Sequence, residues 1–295
     1  MHFNRYTLFL IASMALVGAN VGLGKSIVLA VPVTLFALMR FVIGVGFLLP
    51  HYRWSRMRQV SRQQWLGLFL QALFGTFLFT LLMLNGVVHT SALAAGVITS
   101  TIPAVVIVLS WLLLKERLGR RAIAAVVLAV LGMLIINVSR AGSGGTGSLL
   151  GNAMVAGAVV CESIYVILSR RLTQNLAAIE ICAYTHLLGL LLMLPLGLGA
   201  ALQFDYGGLN TVQWLQIVWY GLAASVWSFW LWMKGIRHVP AQQAGVFTAA
   251  LPVAAVAYAI TFLNEQPTLA HGLALLCVLG AILLASGKPA ETTSH

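Results

Sequence analysis

Residues 86–116 read GVVHTSALAAGVITSTIPAVVIVLSWLLLKE, and residues 235–265 read GIRHVPAQQAGVFTAALPVAAVAYAITFLNE. Laid over one another at an offset of 149, without a gap, the two stretches share ten residues of 31. Gly86 meets Gly235, His89 meets His238, and Ala95-Gly96-Val97 meets Ala244-Gly245-Val246. Thr99 meets Thr248, Pro103 meets Pro252 and Glu116 meets Glu265. Gly, His, Pro and Glu are uncommon inside apolar helices, so their coincidence marks an internal repeat. The repeat extends weakly toward the N-terminus at an offset of 145, where Lys25 meets Arg170, Gly44 meets Gly189 and Pro50 meets Pro195.

Both copies lie in long apolar runs. The 295 residues are 60% hydrophobic and 8% charged, against roughly 25% charged residues in an ordinary soluble domain. Mean hydropathy is +0.97. One soluble core cannot hide that much apolar side chain, whereas a bilayer can. A spanning helix needs about 20 mostly apolar residues. Ten such stretches are predicted, at 5–27, 32–50, 65–84, 91–113, 119–138, 148–169, 177–200, 211–234, 240–263 and 270–287. The runs are continuous rather than alternating, which argues against a β-barrel. The first is too long for the apolar region of a secretory leader and is read as retained.

The net charge of +11 is a topology signal. With the N-terminus on one side, that side collects fourteen Lys and Arg, including Arg53, Arg56, Arg58, Lys115, Arg117 and Arg121; the other side collects only Lys25 and Arg140. This bias predicts both termini in the cytoplasm and gives no support to a nucleic-acid surface. The Gly/Ser-rich stretch 139–148 reads as a linker. The predicted organisation is a five-helix unit at 1–138, the linker, a second five-helix unit at 149–287, and a tail at 288–295. Five spans per unit make the second unit inverted relative to the first, the arrangement of many secondary transporters. One chain already holds both halves, so a monomer suffices.

Several residues stand out. Glu162 lies deep in the sixth span; an unpaired, ionised carboxylate there costs about 2.5–3.5 kcal/mol. It should face a cavity or be protonated, and it is a candidate for a cargo amine or a proton. Arg40 is the matching intramembrane cation, read mainly as structural. Asn20, deep in the first span, can hydrogen-bond a cargo; Asn85 sits at a span's edge. Thr99 and Thr248 occupy equivalent positions and are candidate cargo contacts. Gly96, Pro103, Gly245 and Pro252 are candidate cavity walls and hinges, because proline removes a helix hydrogen bond and small residues permit close approach. At roughly 100° per residue, Trp219, Tyr220, Trp227 and Trp230 share one sector of the eighth span, while Phe229 and Trp232 point elsewhere. Trp227 and Trp230 are therefore the expected aromatic cargo contacts. His89 and His238 read as interfacial, and Glu116 and Glu265 as helix N-terminal carboxylates. Cys161, Cys182 and Cys277 match no metal or disulfide pattern. No P-loop or zinc-site spacing occurs, so neither an enzyme nor a cofactor is expected.

Gly18-Ala19-Asn20 followed by Lys25, Pro32 to Arg40, Ala92 to Pro103 through Glu116-Arg117-Leu118, and Ala241 through Pro252 to Glu265-Gln266-Pro267-Thr268 together resemble the drug/metabolite transporter superfamily, specifically its EamA-type ten-helix exporters. The resemblance covers nearly the whole chain. It implies a central cavity lined by spans 1, 3, 4, 6, 8 and 9, with spans 5 and 10 bracing the outside. It also implies alternating access and a place in a bacterial inner membrane. The nearest functional analogue is the YddG-type amino-acid exporter, which makes amino acids the favoured cargo over drugs or nucleotide sugars. Two positions depart from the family's pattern: Val17 stands where Trp is frequent, and Cys161-Glu162 replaces a Trp-Ala pair.

Overall fold

The computed structural model describes residues 5–52, 57–114, 120–141, 148–173, 176–238, 247 and 250–285. Among these the chain is all helical, with no strand. Helices occupy the ten apolar stretches. They are α1 (Arg5–Val28), α2 (Val33–Leu48), α3 (62–89), α4 (Ala92–Thr99 and Ile102–Leu114), α5 (Arg120–Ala141), α6 (Leu149–Leu172), α7 (Ala178–Gln203), α8 (211–236), α9 (Ala250–Leu263) and α10 (Leu269–Ala285). Six described helices are long and apolar enough to cross a membrane.

Local chemistry sets the helix ends. Ser61 caps α3: its Oγ accepts from the Gln64 N–H at 3.3 Å and its own N–H donates to Gln64 Oε1 at 2.8 Å. Asn210 and Gln213 do the same for α8, at 2.9 Å in both directions. These reciprocal caps stand 149 residues apart, the offset of the sequence repeat. Each of these two helices also contains a π-helical turn, Ala72–Leu78 in α3 and Ala223–Trp227 in α8, again at overlapping repeat positions. The two units thus share local irregularities as well as residues.

Helix α4 breaks at Ser100 and Thr101. The hydroxyls of Thr99 and Thr101 donate back to the Gly96 and Ile98 carbonyls at 2.9 and 2.7 Å. Pro103 then sits in the first turn of Ile102–Leu114, where a missing N–H costs nothing. Asn264, at φ 52°, ends α9 in the left-handed conformation that Asn tolerates better than most residues.

The main helix contacts cross between the first five and the last five helices, and they come in reciprocal sets. α1 packs on α9 as α4 packs on α6, and α1 on α8 as α3 on α6; α2 pairs with α7, and α5 with α10. Small residues allow the close crossings. A Cβ on Gly18 would strike the Leu251 carbonyl, and one on Gly22 would strike the Tyr258 ring, so Gly18-x-x-x-Gly22 forms the tight seam of α1 against α9. A Cβ on Gly197 of α7 would lie 2.7 Å from Leu38, and one on Gly86 of α3 would lie 2.7 Å from Val155. Exposed Leu131, Leu134, Leu191, Leu198, Leu276 and Leu283 cover the outward faces of α5, α7 and α10, an apolar surface suited to lipid.

Candidate functional site

A cavity of about 60 Å³ lies in the middle of the bundle, room for a handful of waters at roughly 10–15 Å³ each. Its walls come from α1, α2, α3, α6 and α8. The repeat organises it. Gly75, Phe79 and Met83 of α3 line it, and so do Ala224, Ser228 and Trp232 of α8, their counterparts at the 149-residue offset. Val17 and Asn20 of α1 are matched by Glu162 and Tyr165 of α6 at the offset of 145. The scaffold is therefore repeated around the cavity while its chemistry is not: a valine on one side faces a carboxylate on the other.

The π-turns shape the polar groups. A π-turn widens the helix and frees carbonyls. In α8 the Ala224 carbonyl accepts from Arg40 Nη2 at 3.4 Å, and Ser225 Oγ accepts from Arg40 Nε at 3.1 Å. Arg40 Nη1 donates to Thr80 Oγ1, and its guanidinium carbon lies 5.1 Å from the Phe41 ring centroid. Arg40 is 4% exposed and bound by three neutral acceptors on α3 and α8. On the cavity's rim, Ser13 Oγ donates to the Ser228 carbonyl at 2.6 Å, tying α1 to α8.

Glu162 is half-buried on the cavity wall. Among the described residues it has no hydrogen-bond partner, and the one ion pair there joins Lys25 to Glu265. Arg40 and Glu162 therefore share the cavity without a direct bridge. Two further groups are unsatisfied: Asn20 Nδ2 and Trp232 Nε1 are buried with no partner. The apolar walls are aromatic. Tyr165 and Phe229 meet at 5.4 Å between centroids, and Phe229 meets the buried His186 edge-on at 5.1 Å.

Of the residues expected from sequence, Asn20 and Glu162 are in this cavity. Thr99 is buried elsewhere, its hydroxyl on its own helix. Gly96 packs on α9, where a Cβ would lie 3.0 Å from Ala255 Cβ; Pro252 is buried in α9 at the same crossing. Gly245, Thr248 and Glu116 lie outside the described residues. The aromatic expectation needs correction: Trp227 and Trp230 do not line the cavity, and Phe229 and Trp232 do. Trp227 packs edge-on against Trp219, and Trp230 lies under Lys234. The cause is the π-turn at 223–227, which adds residues to one turn and rotates everything after it, so a wheel drawn for a regular helix fails there. Arg40, Tyr165 and Tyr220 are cavity residues that sequence reasoning did not choose. Carrying the 149-residue offset back from 86 into α3 would have aligned Gly75, Phe79 and Met83 with Ala224, Ser228 and Trp232.

Glu265 is the N-terminal carboxylate expected, but it caps a distant helix. Its Oε1 accepts from the Ala92 N–H at 3.0 Å and Oε2 from the Leu93 N–H at 2.9 Å, at the start of α4, while Lys25 Nζ donates at 2.7 Å. Burial works to raise the Glu265 carboxyl; these donors and the Lys25 charge outweigh it and hold it below the usual carboxylate range. His238 stacks on Tyr6 at 4.1 Å, and His89 is exposed; neither reaches the cavity. Asn85 Nδ2 donates to its own helix at Leu81.

Among the described residues, a helical bundle with apolar outer faces and a partly polar central cavity has the build of a multi-pass membrane protein. The EamA-like transporter family matches residues 4–138 and again 149–287, and the chain belongs to that family, within the drug/metabolite transporter superfamily. It is 33% identical over 290 residues to an uncharacterized transporter of Bacillus subtilis (strain 168), YetK, covering 97% of this chain and 88% of that one. An uncharacterized transporter of Archaeoglobus fulgidus is 25% identical over 74% of each chain. A solved crystal structure, 22% identical, superposes with a TM-score of 0.67 over 95% of this chain and 96% of the other, which is a likeness of fold. The protein is a transporter and not an enzyme.

Proposed function

We propose that this protein is a secondary transporter that exports amino acids, apolar and aromatic ones included, or closely similar small metabolites across a bacterial inner membrane. The observation that carries the reading is the central cavity, where an unpaired carboxyl, two unsatisfied donors and an aromatic wall converge from both halves. Glu162 offers a partner for a cargo amine, and Phe79, Tyr165 and Phe229 offer surface for an apolar side chain. Arg40 is a thin basis for a phosphate-bearing cargo, because its guanidinium is already engaged by Thr80, Ser225 and Ala224. The aromatic walls favour, as a second reading, apolar drug-like amines.

In the proposed architecture ten helices span the membrane as inverted units at 1–138 and 149–287, joined by the linker 139–148, with both termini and the 288–295 tail in the cytoplasm. The reciprocal pairing of helices across the two halves supports it. Alternating access would rock one half against the other around the cavity, with Gly96 and Pro103 of α4, Pro252 of α9 and, from the sequence repeat, Gly245 as the yielding points. Thr99 would meet the cargo in a state where α4 has moved, and Thr248, its counterpart in the repeat, is proposed as a second cargo contact.

The test is uptake of labelled amino acids into proteoliposomes, with and without an imposed pH gradient, for the native protein and Glu162→Gln. Saturable uptake that the substitution reduces at least tenfold is expected. Saturable uptake indifferent to the substitution would remove Glu162 from the cargo site. No uptake of any amino acid would overturn the cargo class.

A further inference from the structure

We infer that Asn20 Nδ2 and Trp232 Nε1 together form a carboxylate-reading subsite, so that the transporter selects cargo carrying an acceptor group as well as a cation. This rests on the transport reading above and adds to it which atoms recognise which end of the cargo.

The argument starts from unmet hydrogen bonds. A buried donor without a partner costs about 1–3 kcal/mol, so folded proteins seldom retain one without use. Asn20 is 5% exposed and Trp232 3% exposed, both are unsatisfied at nitrogen, and both line the central cavity. Other unsatisfied groups, Gln71 Oε1 and His186 Nε2, do not line it. The cavity pair is also uniform in kind. An indole N–H only donates, and the free atom of Asn20 is its amide nitrogen, so both call for an acceptor.

Placement agrees. α1, which carries Asn20, packs directly on α8, which carries Trp232, whereas α6, which carries Glu162, packs on α3 and α4. The donors therefore belong to one wall and the carboxyl to another, an arrangement for a molecule with an acceptor group and a cationic group. Arg40 sits in the same cavity with three of its N–H groups held by the protein. Its positive charge favours an anion nearby, and the two neutral donors add directed contacts to that charge. Both nitrogens are enclosed in this conformation, so a carboxylate reaches them once the cavity widens to admit cargo and then supplies the acceptor they lack.

The experiment compares three labelled compounds in proteoliposomes: phenylalanine, phenethylamine, which lacks the carboxylate, and 3-phenylpropionate, which lacks the amine. Each is tested with the native protein, Trp232→Phe, Asn20→Leu and Asn20→Asp. The indole-to-phenyl change keeps an apolar ring and removes the donor; Leu keeps the volume of Asn; Asp replaces a donor by an acceptor. A site built to hydrogen-bond a group discriminates strongly against analogues without it. The native protein is expected to prefer phenylalanine over phenethylamine at least tenfold. Trp232→Phe and Asn20→Leu should each shrink that ratio about tenfold, and Asn20→Asp should shrink it further. Glu162→Gln should instead erode discrimination against 3-phenylpropionate. Phenylalanine uptake whose preference over phenethylamine is unchanged in all three donor variants overturns this inference alone. Absence of uptake of phenylalanine and every other amino acid by the native protein overturns the transport reading and this inference together.

Discussion

Lys25 with Glu265, and Arg40 with Glu162, are two sets of opposite charges built in opposite ways. Where α1 ends and α4 begins, Lys25 and Glu265 touch at 2.7 Å, and the carboxylate's remaining capacity is filled by the Ala92 and Leu93 N–H groups. At the centre, Arg40 is bonded to neutral groups on α3 and α8, and Glu162 has no hydrogen bond or direct ion pair among the described residues. The first set closes on itself, joining α1, α4 and the α9–α10 connection. The second leaves its carboxyl facing a cavity together with two orphan donors. A charged group satisfied by the protein holds helices together; one left unsatisfied at membrane depth is retained for something that arrives. The contrast favours Glu162 over Glu265 as the carboxylate of the proposed cargo site.

The contrast is sharpest in paired measurements. Glu162→Gln is expected to reduce amino-acid uptake at least tenfold while the thermal midpoint in detergent stays within about 2 °C, because no described protein group hydrogen-bonds that carboxyl. Equal loss of midpoint and uptake would make Glu162 a packing residue and dissolve the comparison. Glu265→Gln should do the reverse. It removes an ion pair and weakens two backbone bonds, a cost of about 2 kcal/mol and roughly 4–8 °C in midpoint, with a smaller effect on uptake. The loss should follow pH in a set direction. Glu265 is held below its ordinary value of 4.5 in the folded protein, so its contribution is fully present above that value and is lost as pH falls through the lowered folded value. The native advantage over the Gln variant should be constant near neutral pH and disappear in acid; an advantage that persists in strong acid would remove the carboxylate as its source.

The repeat, the helical spans and the two deep polar residues Asn20 and Glu162 were legible in the sequence because each is a local signal: identity at a fixed offset, apolar run length, a polar residue in an apolar run. Glu265 was legible as a helix-terminal carboxylate but not as the cap of α4, because residues 25, 92 and 265 meet only through packing of α1, α4 and α9. Arg40 read as structural, and its acceptors on α3 and α8 could not be named before those helices were side by side. The aromatic lining failed for a different reason. A helical wheel accumulates phase, and a single π-turn at 223–227 resets it for every residue beyond. Neither π-turn carries a strong local sequence signature; their recurrence at equivalent positions becomes visible only in the backbone.

That failure supplies the smallest and most discriminating prediction. Trp230 and Trp232 are two residues apart on α8, yet Trp232 lines the cavity with its indole N–H unsatisfied, while the Lys234 ammonium lies 3.9 Å from the Trp230 ring centroid. A contact of that kind contributes about 0.5–1 kcal/mol at an exposed site. Trp230→Phe keeps a ring under Lys234 and should alter uptake less than twofold, with a midpoint loss of about 2 °C at most. Trp232→Phe, the same chemical change two positions on, should cost uptake about tenfold. If the two variants exchange these effects, α8 is regular in the working protein and the cavity belongs to the Trp227 and Trp230 face. If they behave as stated, the π-turn is what places Trp232 on the cavity side of α8, and the rotation it imposes is part of the proposed cargo site.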